Sequence, residues 1–405
     1  MTECIARQPI FDAKLRIYGY ELLYRSNEAM PMNVFTPCEP DQATSSVLVN
    51  SMFLFGIEKL THGKLAFVNF SRSMLVSDVM SFLPEKQIVV EVLETVEPDA
   101  LTLSACERLK AAGYKIVLDD FVYNQRMEPL IDIADIIKID FLTSPAEYCE
   151  SITKQLRRNK NIVFLAEKVE TYEQYHQAVS WGYTLFQGYF FCKPLLLDTR
   201  DIQGSKLIYF RLLKELNDPD VGIKRIEEII QKDLALSYKI LKYINSAAHG
   251  LAAKISSIKQ AVTMLGNEKL SKFVTIVLLK GLGQDKPTEL VVTALIRGRF
   301  AELIAAATGL KVQSSEAFLI GMFSLMEAIL DQPMDKILGG LPLDGAISGA
   351  LQRQPGKLTS ILETVIAYEQ GDWAKYAIFC QAIELNHASA KKLYLEAVSW
   401  ACGFE

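Results

Sequence analysis

The run "KIVLDDF" (residues 115–121) decides how the first half of this chain is read. Lys115 to Leu118 has the apolar, β-branched character of a buried strand, yet the run goes on into two adjacent carboxylates, Asp119 and Asp120. Successive side chains on a strand point to opposite faces, so two neighbouring acids do not form one solvent-facing row. A bend at the strand's end would turn both toward one point.

Runs of the same character recur on both sides of it: "RIYGYELLYR" (16–25), "KLAFVNFS" (64–71), "QIVVEVLET" (87–95), "IIKIDF" (136–141), "NIVFLAEKV" (161–169) and "LFQGYFFCKP" (185–194). Amphipathic stretches such as "PDALTLSACERLKAAG" (98–113) and "TYEQYHQAVSWG" (171–182) separate them. Short strands alternating with helical patterns predict an α/β fold, here a TIM-like (β/α) barrel. After "CKPLLLDTRD" (192–201) the alternation stops, and "IKRIEEIIQKDLALSYKILKYINSA" (223–247) places apolar residues close to a helical period. The boundary is expected between Asp198 and Gln203, giving a barrel domain over 1–203 and an all-helical domain over 204–405.

Composition narrows the chemistry. The 405 residues are half hydrophobic and 22% charged, ordinary for a globular protein, and a net charge of −5 gives no reason to expect a nucleic-acid polymer. The 7 cysteines are scattered without a CxxC pair, and the 4 histidines are isolated, so neither a disulfide framework nor a thiolate or histidine zinc site is indicated. The N-terminus lacks a leader pattern and no stretch has the apolar length of a membrane helix, so a cytoplasmic protein with no membrane partner is expected.

Each predicted strand ends in a polar group that an apolar core does not tolerate unpaired. In order these are Glu21, Asn69, Glu91 with Glu94, Asp119 with Asp120, Lys138 with Asp140, Glu167 with Glu170, and Gln187. The C-terminal ends of barrel strands meet at one rim, where active sites are built. Carboxylates gathered there repel one another unless cations intervene, and all-oxygen ligation selects hard divalent ions, Mg2+, Mn2+ or Ca2+, over zinc. Asp119 and Asp120 suit a two-metal site of the kind used in phosphodiester hydrolysis, with Lys138 placed to orient water or stabilise charge on a transferring phosphoryl group.

The ordered set "YELLYR", "FVNFS", "VVEVLET", "LDDF", "IKID", "AEKVET" and "FQGYFF" resembles EAL domains, bacterial phosphodiesterases that linearise cyclic di-GMP. The resemblance implies a Mg2+ or Mn2+ cofactor held by Glu21, Asn69, Glu91, Asp119, Asp120 and Glu167. It implies a catalytic group of Lys138, Glu167 and Glu94, with Lys138 the partner of the nucleophilic water. Arg25 as a phosphate contact and Gln187 would hold the substrate, and Asp140 and Glu170 would support the ligands. Two departures stand out: "VYNQRMEP" (122–129) replaces the family's glycine-rich loop, and "AEG" has become "AEK", putting Lys168 beside a proposed ligand. Val122 does not share glycine's access to positive φ, so the loop must take another path.

In the second half, "DLALSYKILKYINSA" (233–247) and "ISSIKQAVTMLG" (255–266) resemble an HDOD domain, a helical relative of HD phosphohydrolases that lacks their metal residues. The resemblance implies a non-catalytic module that binds a protein partner, coupled to a cyclic di-GMP phosphodiesterase. Self-association into a homodimer through the altered loop is also expected. The alternative reading is a catalytically inactive EAL domain serving as a nucleotide sensor or an interaction scaffold.

Overall fold

The computed structural model describes residues 3–26, 57–77, 83–156, 162–194, 209–216 apart from 210 and 214, 221–245, 255–284 apart from 256, 286–310, 313–340 and 343–402. Eight strands close into a barrel in chain order. They are β1 (Glu3–Asp12), β2 (Ile17–Ser26), β3 (Leu65–Phe70), β4 (Ile88–Val92), β5 (Lys115–Leu118), β6 (Ile136–Asp140), β7 (Val163–Glu167) and β8 (Leu185–Gln187). From β2 to β8 each pairing is parallel, while β1 runs antiparallel to both its neighbours.

β1 is the one strand that sequence reading did not anticipate. Its stretch "ECIARQPIFD" contains Pro9, which lacks the N–H of a ladder donor and reads as a strand breaker. It is a strand here because a tight turn folds it onto β2: Asp12 Oδ1 accepts from the N–H groups of Lys14 and Arg16, and Leu15 takes a positive φ of 57°.

The connections of the barrel carry helices α1 (Ile57–Thr61), α2 (Arg72–Val76), α3 (Ala100–Ala111), α4 (Glu128–Ile133), α5 (Ala146–Leu156) and α6 (Tyr172–Trp181). Local chemistry sets several of their ends. Asp99 caps α3 through the Thr102 N–H, Pro129 stands in the first turn of α4, and Thr171 with Gln174 makes a reciprocal capping box on α6, which stops at Gly182 in the left-handed region.

Inside the barrel, Ile10, Phe67, Val89, Val117, Ile136, Leu165 and Leu185 form an apolar layer with one side chain from each of seven strands. Two residues farther along a strand the side chain again faces inward. That spacing leads from Phe67 to Asn69, Val89 to Glu91, Val117 to Asp119, Ile136 to Lys138, Leu165 to Glu167 and Leu185 to Gln187. On the antiparallel β1 it leads backward, from Ile10 to Gln8, which pairs with Glu21 of β2. The polar ring is thus the next storey of the barrel interior.

By internal contacts the chain divides into two units, Met1–Lys193 with Ile366–Glu405, and Pro194–Val365. The expected division put the whole of 204–405 in the helical half; the last forty residues instead fold with the barrel. In the second unit the described helices are α7 (Ile223–Ile230), α8 (Leu234–Ile244), α9 (Ile258–Leu282), α10 (Thr288–Ala307), α11 (Ser314–Phe323), α12 (Met326–Leu330), α13 (Met334–Gly340) and α14 (Gly345–Leu351). Asp233 caps α8 through the Leu236 N–H, and Asn245 at its other end bonds both the N–H and the carbonyl of Ile255, so these residues fasten helix ends. Ser246 lies outside the described residues. Three helices complete the chain: α15 (Lys357–Gln370), α16 (Trp373–Ala382) and α17 (His387–Cys402).

The segment after Ile366 packs against the N-terminal strand. The Ile5 and Arg7 N–H groups donate to the hydroxyls of Tyr368 and Tyr394, and the buried Arg7 side chain lies over the Tyr20 ring while donating to the Leu60 carbonyl. Among the described residues no helix is long and apolar enough to cross a membrane.

Candidate functional site

The inward storey assembles around Lys138. Its ammonium lies 2.7 Å from Asp119 Oδ1, 2.8 Å from Glu167 Oε1, 2.9 Å from Glu91 Oε1 and 3.5 Å from Glu21 Oε2. The lysine side chain is 1% exposed, so these ion pairs sit in the barrel and away from solvent screening. Burial works against the Lys138 charge, but the surrounding carboxylates outweigh it and hold the pKa well above the usual lysine range. Four acids around one cation are out of balance. Burial pushes Glu91 far up and Glu167 to about 8; Lys138 opposes both shifts, while the neighbouring acids add to them.

Amides fix the orientation of Glu21. Asn69 Nδ2 donates to its Oε1 at 3.1 Å and Gln187 Nε2 to its Oε2 at 2.6 Å, the latter amide also donating to Gln8 Oε1 at 3.0 Å. Gln8 therefore belongs to the site although no sequence motif marked it; its place at the inward register of β1 was legible only once β1 was seen as a strand.

The two acids of "KIVLDDF" part company at the end of β5. Asp119 keeps the inward direction, and Asp120 takes a positive φ of 40°, a conformation aspartate tolerates better than most residues. Both line the same cavity. Lys168, next after Glu167, also takes a positive φ, 51°, and reaches Asp140 at 2.6 Å and Asp120 at 3.5 Å. Burial alone would raise Asp140, but the Lys168 hydrogen bond and the N–H groups of Thr143 and Leu142 hold it below the usual carboxylate range. The replaced loop leaves Val122 exposed and runs through a single turn at Gln125–Met127 into α4, so the strain sits at Asp120 and not at Val122.

A cavity of about 760 Å³ opens above this ring, lined by Glu21, Asn69, Asp119, Asp120, Glu167, Lys168, Glu170 and Gln187 among others. Glu91 and Lys138 are fully buried beneath it. Glu170 is exposed at the rim and pairs with Lys193 at 3.2 Å. Glu94 is not brought in: it is exposed in the turn after β4 and does not line the cavity. Arg25 pairs with Cys4 near the end of β2, and its side chain lies outside the described residues.

The donor chemistry suits a hard divalent ion. Asn69 Oδ1, Glu91 Oε2, Glu167 Oε2 and Gln187 Oε1 are buried oxygens that accept no hydrogen bond among the described residues. Buried acceptors of this kind cost free energy unless something binds them. The acids are arranged around the Lys138 ammonium, and among the described residues no group of three or more acidic, histidine or cysteine side chains is already gathered as a metal site, in this ring or elsewhere.

Comparison with known proteins was consistent across both halves. The EAL domain model matches residues 4–194 and the HDOD domain model residues 206–329. The uncharacterized protein YuxH of Bacillus subtilis (strain 168) is 38% identical over 410 residues, 99% of this chain and 98% of its own length. The cyclic di-GMP phosphodiesterase CdgJ of Vibrio cholerae serotype O1 is 35% identical over 402 residues, 99% of this chain and 92% of its own. Among solved structures, the calcium and cyclic di-GMP complex of Klebsiella pneumoniae BlrP1 is 22% identical with a TM-score of 0.39, covering 47% of this chain and 55% of that one.

Proposed function

This chain belongs to the family of two-domain EAL–HDOD proteins, and from that premise we propose that its barrel is a divalent-metal-dependent phosphodiesterase that linearises cyclic di-GMP. The observation that carries the reading is the inward ring of Glu21, Asn69, Glu91, Asp119 and Glu167, with four buried oxygens in it or beside it that have no donor among the described residues. Those residues together with Asp120 would hold Mg2+ or Mn2+. When bound, such ions lower the pKa of a coordinated water and neutralise phosphate charge.

The chain's own residues do the rest. Gln187 and Asn69 lock the Glu21 carboxylate by one hydrogen bond to each oxygen, which preorganises it before substrate arrives. Lys138 Nζ keeps its proton against burial, so it stands as a fixed positive charge under the cavity floor, suited to stabilising negative charge that develops at phosphorus or on an attacking water. The cavity volume falls in the range of small-ligand sites. Arg25 and Gln187 on the substrate side, and Asp140 and Glu170 in support, remain parts of this proposal. Glu94, exposed and outside the cavity, has the weakest claim to a catalytic role.

The test is hydrolysis of cyclic di-GMP with added Mg2+ or Mn2+. Turnover that disappears in Glu21→Ala and Asp119→Ala supports the reading; metal-loaded wild type that yields no linear dinucleotide sinks it. One observation favours the second reading, a nucleotide-binding sensor without turnover: Lys168 already pairs with Asp120 and Asp140. Tight binding of the dinucleotide without hydrolysis would select it. The HDOD half is assigned to partner binding, and Val122 at 67% exposed and Leu142 at 62% give the barrel apolar surface for self-association. Loss of a co-purifying protein on removal of 206–329, and a mass measurement in solution, test these two assignments.

A further inference from the structure

We infer that Trp373, from the far C-terminal end of the chain, is a wall of the substrate cavity and provides the aromatic surface on which a guanine base of the substrate stacks. The inference rests on the cyclic dinucleotide reading above and adds to it a recognition element that lies outside both matched domains, which end at residues 194 and 329.

The cavity above the carboxylate ring is not closed by the barrel alone. Gln370, Gly371, Asp372 and Trp373 line it together with the strand ends, and all of them belong to the same compact unit as the barrel. The turn that presents them is anchored by polar bonds on either side. Tyr189 donates its hydroxyl proton to the Glu369 carbonyl at 3.0 Å, Gln8 Nε2 donates to the Gln370 carbonyl at 3.2 Å, and the Tyr368 hydroxyl accepts from Ile5 N–H at 3.2 Å. Two of these anchors, Gln8 and Tyr189, themselves line the cavity. Gly371 has a φ of +68°, which glycine adopts readily, and a Cβ there would lie 2.8 Å from Leu23 Cδ1, so the turn packs against that side chain of β2.

Trp373 follows directly as the first residue of α16, whose N-terminus Asp372 caps by accepting from Lys375 N–H at 3.1 Å. The indole is held by near-perpendicular ring contacts, 5.4 Å from Tyr368 and 6.2 Å from Tyr376. A half-buried indole fixed in this way and bordering a cavity with an acidic floor supplies what the floor lacks. On that reading the acidic floor would take the metal and phosphate, while a purine needs a π-surface, and base stacking on aromatic side chains is a main source of affinity for nucleotides held outside a duplex.

The experiment compares wild type with Trp373→Phe, Trp373→Leu and Trp373→Ala, measuring equilibrium binding of cyclic di-GMP in calcium and steady-state turnover in manganese. Leu fills much of the volume without a π-face, so stability and stacking separate. Trp373→Leu and Trp373→Ala are expected to weaken binding and raise KM by about 5- to 150-fold with kcat nearly unchanged, Trp373→Phe to retain most of the affinity, and Trp373→Leu to melt close to wild type. Binding by a folded Trp373→Leu protein that equals wild type overturns the inference. Wild type that binds without turnover overturns only hydrolysis and still tests the stacking through affinity; wild type that does not bind at all overturns both.

Discussion

Replacing Lys138 by Met tests the electrostatic core of the site. Met matches the length of the lysine stem and leaves Glu21, Glu91, Asp119 and Glu167 around a point with no charge. Removing one partner of a buried, hydrogen-bonded ion pair costs about 3 to 5 kcal/mol, because the remaining charges stay desolvated. The figure does not multiply by four here: Glu91 and Glu167 are already pushed toward the protonated form, so the acids relieve part of the imbalance by taking up protons. For a unit of this size each kcal/mol moves the melting temperature by about 2 to 4 °C, so the barrel transition should fall by roughly 6 to 20 °C in EDTA. A divalent ion at about 100 times its Kd returns about 2.7 kcal/mol, which is about 5 to 11 °C. The measurement is a set of thermal melts of wild type and Lys138→Met, each in EDTA and in excess Mn2+, followed at a wavelength sensitive to the barrel. A variant that melts within about 2 °C of wild type in EDTA would show that Lys138 is not the counterion of this ring. A variant that Mn2+ does not stabilise would show that the acids do not hold the ion.

Other perturbations bear on single contacts. Lys168→Gly relieves a left-handed residue worth about 1 to 2 kcal/mol and loses a half-exposed pair with Asp140 worth up to about 1, so the melt should move little while the Mn2+ needed for half-maximal turnover falls about 2- to 5-fold; an increased metal requirement would contradict the placement of Lys168 against Asp120. Gly321→Ala in α11 puts a Cβ 2.5 Å from the Arg297 carbonyl of α10, so urea unfolding of the second unit should shift by about 1 to 3 kcal/mol, and an unchanged midpoint would mean that the two helices do not cross this closely. Burial lowers the pKa of His387 below its ordinary value of 6.5, so between the two values the unfolded chain binds the proton that the folded chain refuses. Stability from this group is complete above 6.5 and falls as pH drops through that window, and His387→Gln should flatten the pH dependence of the melt.

The barrel and most of its site could be read from the chain because both are local patterns. Strand side chains alternate with period two, so a polar residue two places beyond a buried one is bound to share its face, and this alone puts Asn69, Glu91, Asp119, Lys138, Glu167 and Gln187 on one inner storey. Glu94 shows the limit of the rule: it lies three places beyond Glu91 but past the end of β4, where the alternation no longer governs direction, and it turns to solvent. What the chain alone did not decide depends on residues far apart in it. Pro9 hid β1 until the turn at Asp12 laid it against β2, and with β1 came Gln8. Sequence reading gave Lys138 a role beside water or phosphoryl charge; only the closing of the barrel puts its ammonium among four acids from other strands. The turn at Gln370–Trp373 carries no local signal of its role. Its position is set by hydrogen bonds to Ile5, Gln8 and Tyr189, which lie more than 170 residues away, and contacts of that range are made by packing and not by propensity.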